Sequence, residues 1–212
     1  LAAAFARRGH SVTVVHDADA FLALNGGIEP APGASIPGVE VVTLRSKLGI
    51  ISPILTQQFG RPVVHGRKLR ALLGEGFDVT FFHNVSLVGG PVLFREGRGV
   101  TLYEAHEHWL VCPTNVLWRY NRELCDARDC VRCVLSYRRP PQLWRSTGLL
   151  DRELDNVDAF IAKSAFSRDK HHEFGFPRDM EVIPYFLPQD SAGADPVTEA
   201  PSPHSRPFFL FV

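Results

Sequence analysis

VTLYEAHEHW, Val100–Trp109, is the stretch that decides the fold. Its first half, Val100–Glu104, is a short apolar, β-branched run of strand type. Its second half turns polar at once and delivers His106, Glu107, His108 and Trp109. Two other stretches are built the same way. Asp78–Phe82 (DVTFF) runs into His83 and Asn84, and Ala159–Ala162 (AFIA) runs into Lys163 and Ser164. Short, nearly continuous apolar strands separated by helical segments predict a parallel sheet covered on both faces. In such sheets ligands sit beyond the carboxyl ends of the strands, so these three ends predict one shared polar edge.

Working outward, Ser11–Val15 (SVTVV), Val39–Leu44 (VEVVTL) and Glu181–Ile183 read as further strands. Helices are predicted at Ala18–Leu24, His65–Leu73, Ser86–Arg95 and Leu149–Asp155. Ser164 caps another that runs to Phe174, where Gly175 and Pro177 stop it. In the segment from His65, the residues Leu69, Leu72 and Leu73 share one face. Gly89, Gly90 and Pro91 oppose the helix at Ser86–Arg95. The chain shows no internal repeat.

The ends carry expectations of their own. Leu1–His10 is helix-rich and feeds straight into a strand, which predicts a first strand and loop ahead of Leu1. Gln189–Arg206 is rich in Pro, Ser, Ala and Asp and reads as a linker, followed by the apolar strand Pro207–Val212 (PFFLFV) of a second domain. Residues 1–188 then form one α/β domain, 189–206 a linker and 207–212 the first strand of a further domain.

Bulk properties exclude several classes. Hydrophobic residues make up 45% and charged residues 22%, the balance of a globular protein with a core. Lys and Arg number 23 against 23 Asp and Glu, so no basic excess points to nucleic acid. No apolar run reaches the roughly 20 residues a membrane helix needs. Leu1–Phe5 is followed by Arg7 and Arg8 instead of preceded by them, unlike a signal peptide. The expectation is a cytoplasmic protein, with peripheral contact at the inner membrane face left open.

The order of these motifs resembles the N-terminal domain of family 4 glycosyltransferases, retaining enzymes with the GT-B fold. LAAAFARRGHSVTVV (Leu1–Val15) is similar to that family's first helix and second strand. FDVTFFHN (Phe77–Asn84) is similar to its strand ending in His-Asn. GVTLYEAHEHWLVCP (Gly99–Pro113) is similar to its strand ending in a His-acid pair, in the subgroup continuing Trp-Leu-x-Cys-Pro. Val157–Pro188 is similar to the stretch leading into the interdomain linker. The resemblance implies an α/β, Rossmann-like acceptor-side half with a cysteine-containing loop insertion. It also implies a Gly-rich loop before Leu1, and after Val212 a donor-binding half with an Arg/Lys pair and a Glu-x7-Glu motif. The present chain alone is then expected to be inactive.

The resemblance places His106 beside the donor sugar at the reaction centre. An imidazole suits that position, since it can donate to a sugar hydroxyl and change charge near neutral pH. The ordinary alternative is a loop histidine packed on Trp109. Glu107 could orient His106 or accept from an acceptor hydroxyl, or be a solvated loop acid. His83 and Asn84 could line the same cleft, with Asn84 equally a turn former. Lys163 and Ser164 could meet phosphate or acceptor oxygens at a helix start, with Ser164 equally a plain N-cap.

All four cysteines lie within Cys112–Cys133, as C-x12-C-x4-C-x2-C. Cys130-x-x-Cys133 has zinc-knuckle spacing, and Cys112, Cys125, Cys130 and Cys133 together suffice for a tetrahedral structural zinc. His106 or His108 could replace a cysteine. A disulfide pair conflicts with a cytosolic setting, and free thiols are the remaining reading. The surrounding loop, Pro113–Pro141, reads as long and irregular. Its Arg122, Arg128, Arg132, Arg138 and Arg139 could meet an anionic or lipid-phosphate acceptor, or form a solvated surface.

Three functions follow. The first is a retaining glycosyltransferase moving a hexose from a nucleotide-diphosphate sugar to a glycan or lipid-linked acceptor, with no cofactor needed for transfer. The second is a GT-B-type sugar-nucleotide epimerase, favoured if Glu-x7-Glu is lacking downstream. The third is a non-enzymatic zinc-stabilised α/β binding domain, favoured if the chain holds zinc and never responds to sugar nucleotides.

Overall fold

A computed structural model describes residues 1–29 and 35–186. The linker and final strand expected over 189–212, and the first part of the loop from Pro30, lie outside the described residues.

The chain begins with α1 (Ala2–Arg7), β1 (Val12–Asp17), α2 (Ala18–Leu24), β2 (Val39–Leu44), α3 (Ile51–Phe59) and α4 (Gly66–Leu73). It continues with β3 (Val79–His83), a 3₁₀ turn at Pro91–Glu96 and β4 (Val100–Ala105). A hairpin of β5 (Trp118–Arg119) and β6 (Glu123–Leu124) precedes α5 (Cys130–Ser136). After a 3₁₀ turn at Leu143–Ser146 come α6 (Leu149–Leu154), β7 (Ala159–Ala162), α7 (Ala165–Glu173) and β8 (Met180–Val182).

The architecture is the expected α/β arrangement of parallel strands and helices. Its long strands fall into two ladders, a parallel pair β1-β2 and a four-stranded parallel sheet ordered β3-β4-β7-β8. One hydrophobic core serves both, running from Leu44 at the end of β2 through Leu69 and Leu73 of α4 to Phe82, Tyr103 and Phe160 of the larger sheet. Tyr103, Glu104 and Ala105 are buried consecutively, as are Phe160, Ile161 and Ala162. Since successive strand residues face opposite sides, β4 and β7 are covered on both faces.

Three expectations are corrected. No α-helix spans Ser86–Arg95; a turn leads into the 3₁₀ segment because Gly90 sits at φ 60°, ψ −167°, a conformation essentially reserved for glycine. A helix forms at Ile51–Phe59 where none was expected: Pro53 is tolerated in its first turn, and Gly60 ends it in the left-handed conformation. The loop after Pro113 is not irregular, since it contains the β5-β6 hairpin and α5. Elsewhere the boundaries move by one or two residues, and α2, β2 and β7 fall where the pattern put them.

Candidate active site and cysteine lobe

Parallel register builds the polar edge. His83 of β3 pairs in register with Glu104 of β4, and Glu104 with Ile161 of β7. His106 lies two residues beyond Glu104 and Lys163 two beyond Ile161, so the strand alternation sends all four side chains to one side. His83 Nδ1 and His106 Nε2 are 2.8 Å apart. The Glu104 carboxylate faces both rings, 3.7 Å from His83 Nδ1 and 3.5 Å from His106 Nε2. Lys163 forms an ion pair with the same carboxylate. Tyr185, beyond β8, completes the set: its hydroxyl lies 2.7 Å from His106 Nδ1, its ring stacks on His106, and Lys163 Nζ sits 4.7 Å from its centroid.

Electrostatics keep both imidazoles neutral near pH 7. Burial pushes the His106 pKa down, the Lys163 ammonium adds to this, and Glu104 opposes it. His83 is likewise lowered, by burial first, with Glu104 again opposing. Each neutral ring carries one N–H. Two hydrogen-bond directions therefore satisfy the row. Either His83 donates to His106, which donates to Tyr185, or Tyr185 donates to His106, which donates to His83. A neutral His106 between two exchangeable partners can donate to, or accept from, a hydroxyl placed beside it.

His83, His106 and Lys163 are thus brought together. Asn84 adopts φ 41° and is exposed, the turn-forming role. Ser164 accepts from the Ser167 backbone N–H, the plain N-cap role. Glu107 does not join His106. It hydrogen-bonds Asn115, and burial raises its pKa, with Asn115 and Arg139 opposing. Two members escaped the sequence reading. Glu104 ends a strand whose local pattern marks it only as a strand, although its two-residue spacing from His106 is an available signal. Tyr185 carried no local signal.

A second buried cluster lies at the end of β1. Asp17, Asp19 and His65 hold their ligand atoms within 4.8 Å of one another, as do His83, Glu104 and His106. Asp19 accepts from the Ser46 backbone N–H and hydroxyl, and its carboxylate is 3.2 Å from His65 Nε2.

The four cysteines are free thiols that line one small cavity between the hairpin, α5 and Phe174. Cys112 and Cys133 are buried, and Cys125 and Cys130 are partly exposed. Their sulfurs are not drawn as close as the two clusters above. Of the arginines in this region, Arg128 donates to the Phe174 carbonyl and Arg132 lies over the Tyr120 ring. Cys130, Arg128 and Val131 also line a neighbouring cleft of about 320 Å³, together with Leu150 and Leu154.

Among the described residues no helix is long and apolar enough to cross a membrane. The family described as Glycosyltransferase Family 4 matches residues 1–188 of the chain. No curated protein and no solved structure matches it.

Proposed function

The chain belongs to glycosyltransferase family 4, and from that premise we propose that it supplies the acceptor side of a retaining hexosyltransferase. The donor is a nucleotide-diphosphate sugar, and the acceptor is a glycan or a lipid-linked glycan. The observation that supports this reading is the edge formed by His83, Glu104, His106 and Lys163 with Tyr185. Retaining transfer develops positive charge at the anomeric carbon and negative charge on the departing phosphate. A neutral His106 donates to a donor-sugar hydroxyl without adding positive charge beside the oxocarbenium. The Glu104–Lys163 pair presents both signs of charge within one small edge. Four free thiols suit a reducing compartment, and we assign the reaction to the cytoplasm.

The test uses the full-length protein with nucleotide-sugar donors. His106→Ala is expected to lower turnover by about 10²–10³-fold while circular dichroism stays unchanged. Undiminished turnover removes His106 from the reaction centre. The product's anomeric configuration, read by NMR, must match the donor's; inversion refutes the retaining assignment.

A further inference from the structure

We propose that Cys112, Cys125, Cys130 and Cys133 form a structural Zn²⁺ site that fastens the hairpin-and-helix lobe to the parallel-sheet domain. The thiols come from three separate segments: the turn after β4, the residue after β6, and one face of α5. All four nevertheless line the same cavity, whose volume of about 20 Å³ suits a single small occupant. The Asp129 carboxylate also lines the cavity but accepts from the Tyr120 hydroxyl, and the four thiolates select zinc by ligand softness and tetrahedral preference.

The sulfurs of Cys112 and Cys133 have polar contacts. The Tyr120 backbone N–H points at Cys133 Sγ at 3.4 Å, and Thr114 Oγ1 lies 3.2 Å from Cys112 Sγ. Such contacts orient metal-bound sulfur. Binding zinc releases four thiol protons and leaves a complex of charge −2. Arg128 lines the same cavity, and Arg145 lies within electrostatic reach of Cys112 and Cys130. Cationic groups are therefore in place to balance that charge.

The lobe also needs a fastening. Its satellite core has only Cys112, Leu117 and Phe174 as buried members. Yet five of the six non-glycine residues at positive φ among the described residues fall here: Asn115, Leu117, Tyr120, Asn121 and Arg138. Left-handed backbone at Leu117 and Tyr120 is strained for residues that carry a Cβ and persists only where the surroundings over-determine it. Three buried side chains are a slight constraint, whereas a four-ligand metal is a strong one. Metal binding requires the sulfurs to close to Zn–S distances of about 2.3 Å, nearer one another than they stand without the ion.

The experiment uses the full-length protein, purified under reducing conditions without chelator. Elemental analysis is expected to find one zinc per chain. A thiol-reactive mercurial is expected to release it, read by a chromogenic chelator. Co²⁺ added to the metal-stripped protein is expected to give the sulfur-to-cobalt charge-transfer and visible bands of a tetrahedral tetrathiolate. Cys125→Ser and Cys130→Ser, at the two partly exposed positions, are expected to lower the bound zinc. Hydrogen exchange is expected to show that metal removal deprotects residues 112–136 and spares β3-β4-β7-β8. Zinc near zero together with no cobalt spectrum overturns the proposal. So does iron in place of zinc, or two disulfides in the protein as isolated.

Discussion

His171 is fully buried in α7, and acid should expose the cost of keeping it so. Its Nδ1–H donates to the Ser167 carbonyl at 2.8 Å, which leaves the lone pair on Nε2. That Nε2 is buried without a partner, the ring stacks on His108 at 5.0 Å, and Phe176 meets it edge-on. A proton added at Nε2 would create a cation with no acceptor. Burial, with smaller contributions from His108 and His172, pushes the pKa down to about 4 against the opposing Ser167 bond. The unfolded chain has a value of about 6.5. Below that value the unfolded state binds the proton and the folded state does not, so stability falls as pH falls. The loss begins near pH 6.5 and levels off below about pH 4, at roughly 3 kcal/mol; at about pH 5 it is roughly 2 kcal/mol. In His171→Asn the amide nitrogen replaces the Nδ1–H donor and cannot titrate. Urea unfolding of both proteins at about pH 7.5 and about pH 5 gives four free energies. Subtracting within each protein removes the fixed cost of the substitution. It also cancels, to first order, His83, His106 and His108, which both proteins share. The wild type should lose about 2 kcal/mol more than the variant on acidification. A difference below about 0.5 kcal/mol would mean that His171 is solvated or already has an acceptor, and would refute the reasoning.

Glu104→Gln keeps the shape of the edge and removes its negative charge. Lys163, 16% exposed, loses its partner in a partly screened setting, so stability should fall by about 1–3 kcal/mol in denaturant titration. Glu104 is also the group that raises His106 against burial, so the acid limb of kcat/KM should move to lower pH in the variant. A limb that stays in place would show that Glu104 does not act on His106. In Gly90→Ala a Cβ would sit 2.5 Å from the Gly60 carbonyl carbon, at a φ of +60°. The clash and the backbone strain together should cost about 2–4 kcal/mol, read as a lower denaturant midpoint; a cost under about 1 kcal/mol would show that the Gly60–Gly90 contact can yield.

The central sheet was legible because β3, β4 and β7 are short apolar runs ending in polar residues, a local signal. The helix Ile51–Phe59 was not, because its buried positions are Ser52, Pro53 and Thr56 in place of a leucine stripe. Packing of small residues against neighbours leaves no hydrophobic period to read. The turn at Gly89–Pro91 is only partly legible, for a related reason. Gly90 is dictated by the close approach of Gly60, a residue 30 positions earlier, and no local pattern reports such a contact.

The same divide runs through the site. Once β3, β4 and β7 are parallel and in register, the neighbourhood of His83, His106 and Lys163 follows from alternation alone. Alternation also separates the two acids that flank His106. Glu104 lies two residues away and shares its face, whereas Glu107 is adjacent and turns to Asn115. Proximity in sequence favoured Glu107, but strand geometry favours Glu104. Tyr185 lies 79 residues from His106 and reaches it because β8 pairs beside β7 and releases the chain at the same edge. Its hydroxyl fixes His106 Nδ1 only through that long-range placement. The edge therefore has two kinds of member, those set by strand register and one set by where the last strand ends. The second kind is carried by the segment that follows β8.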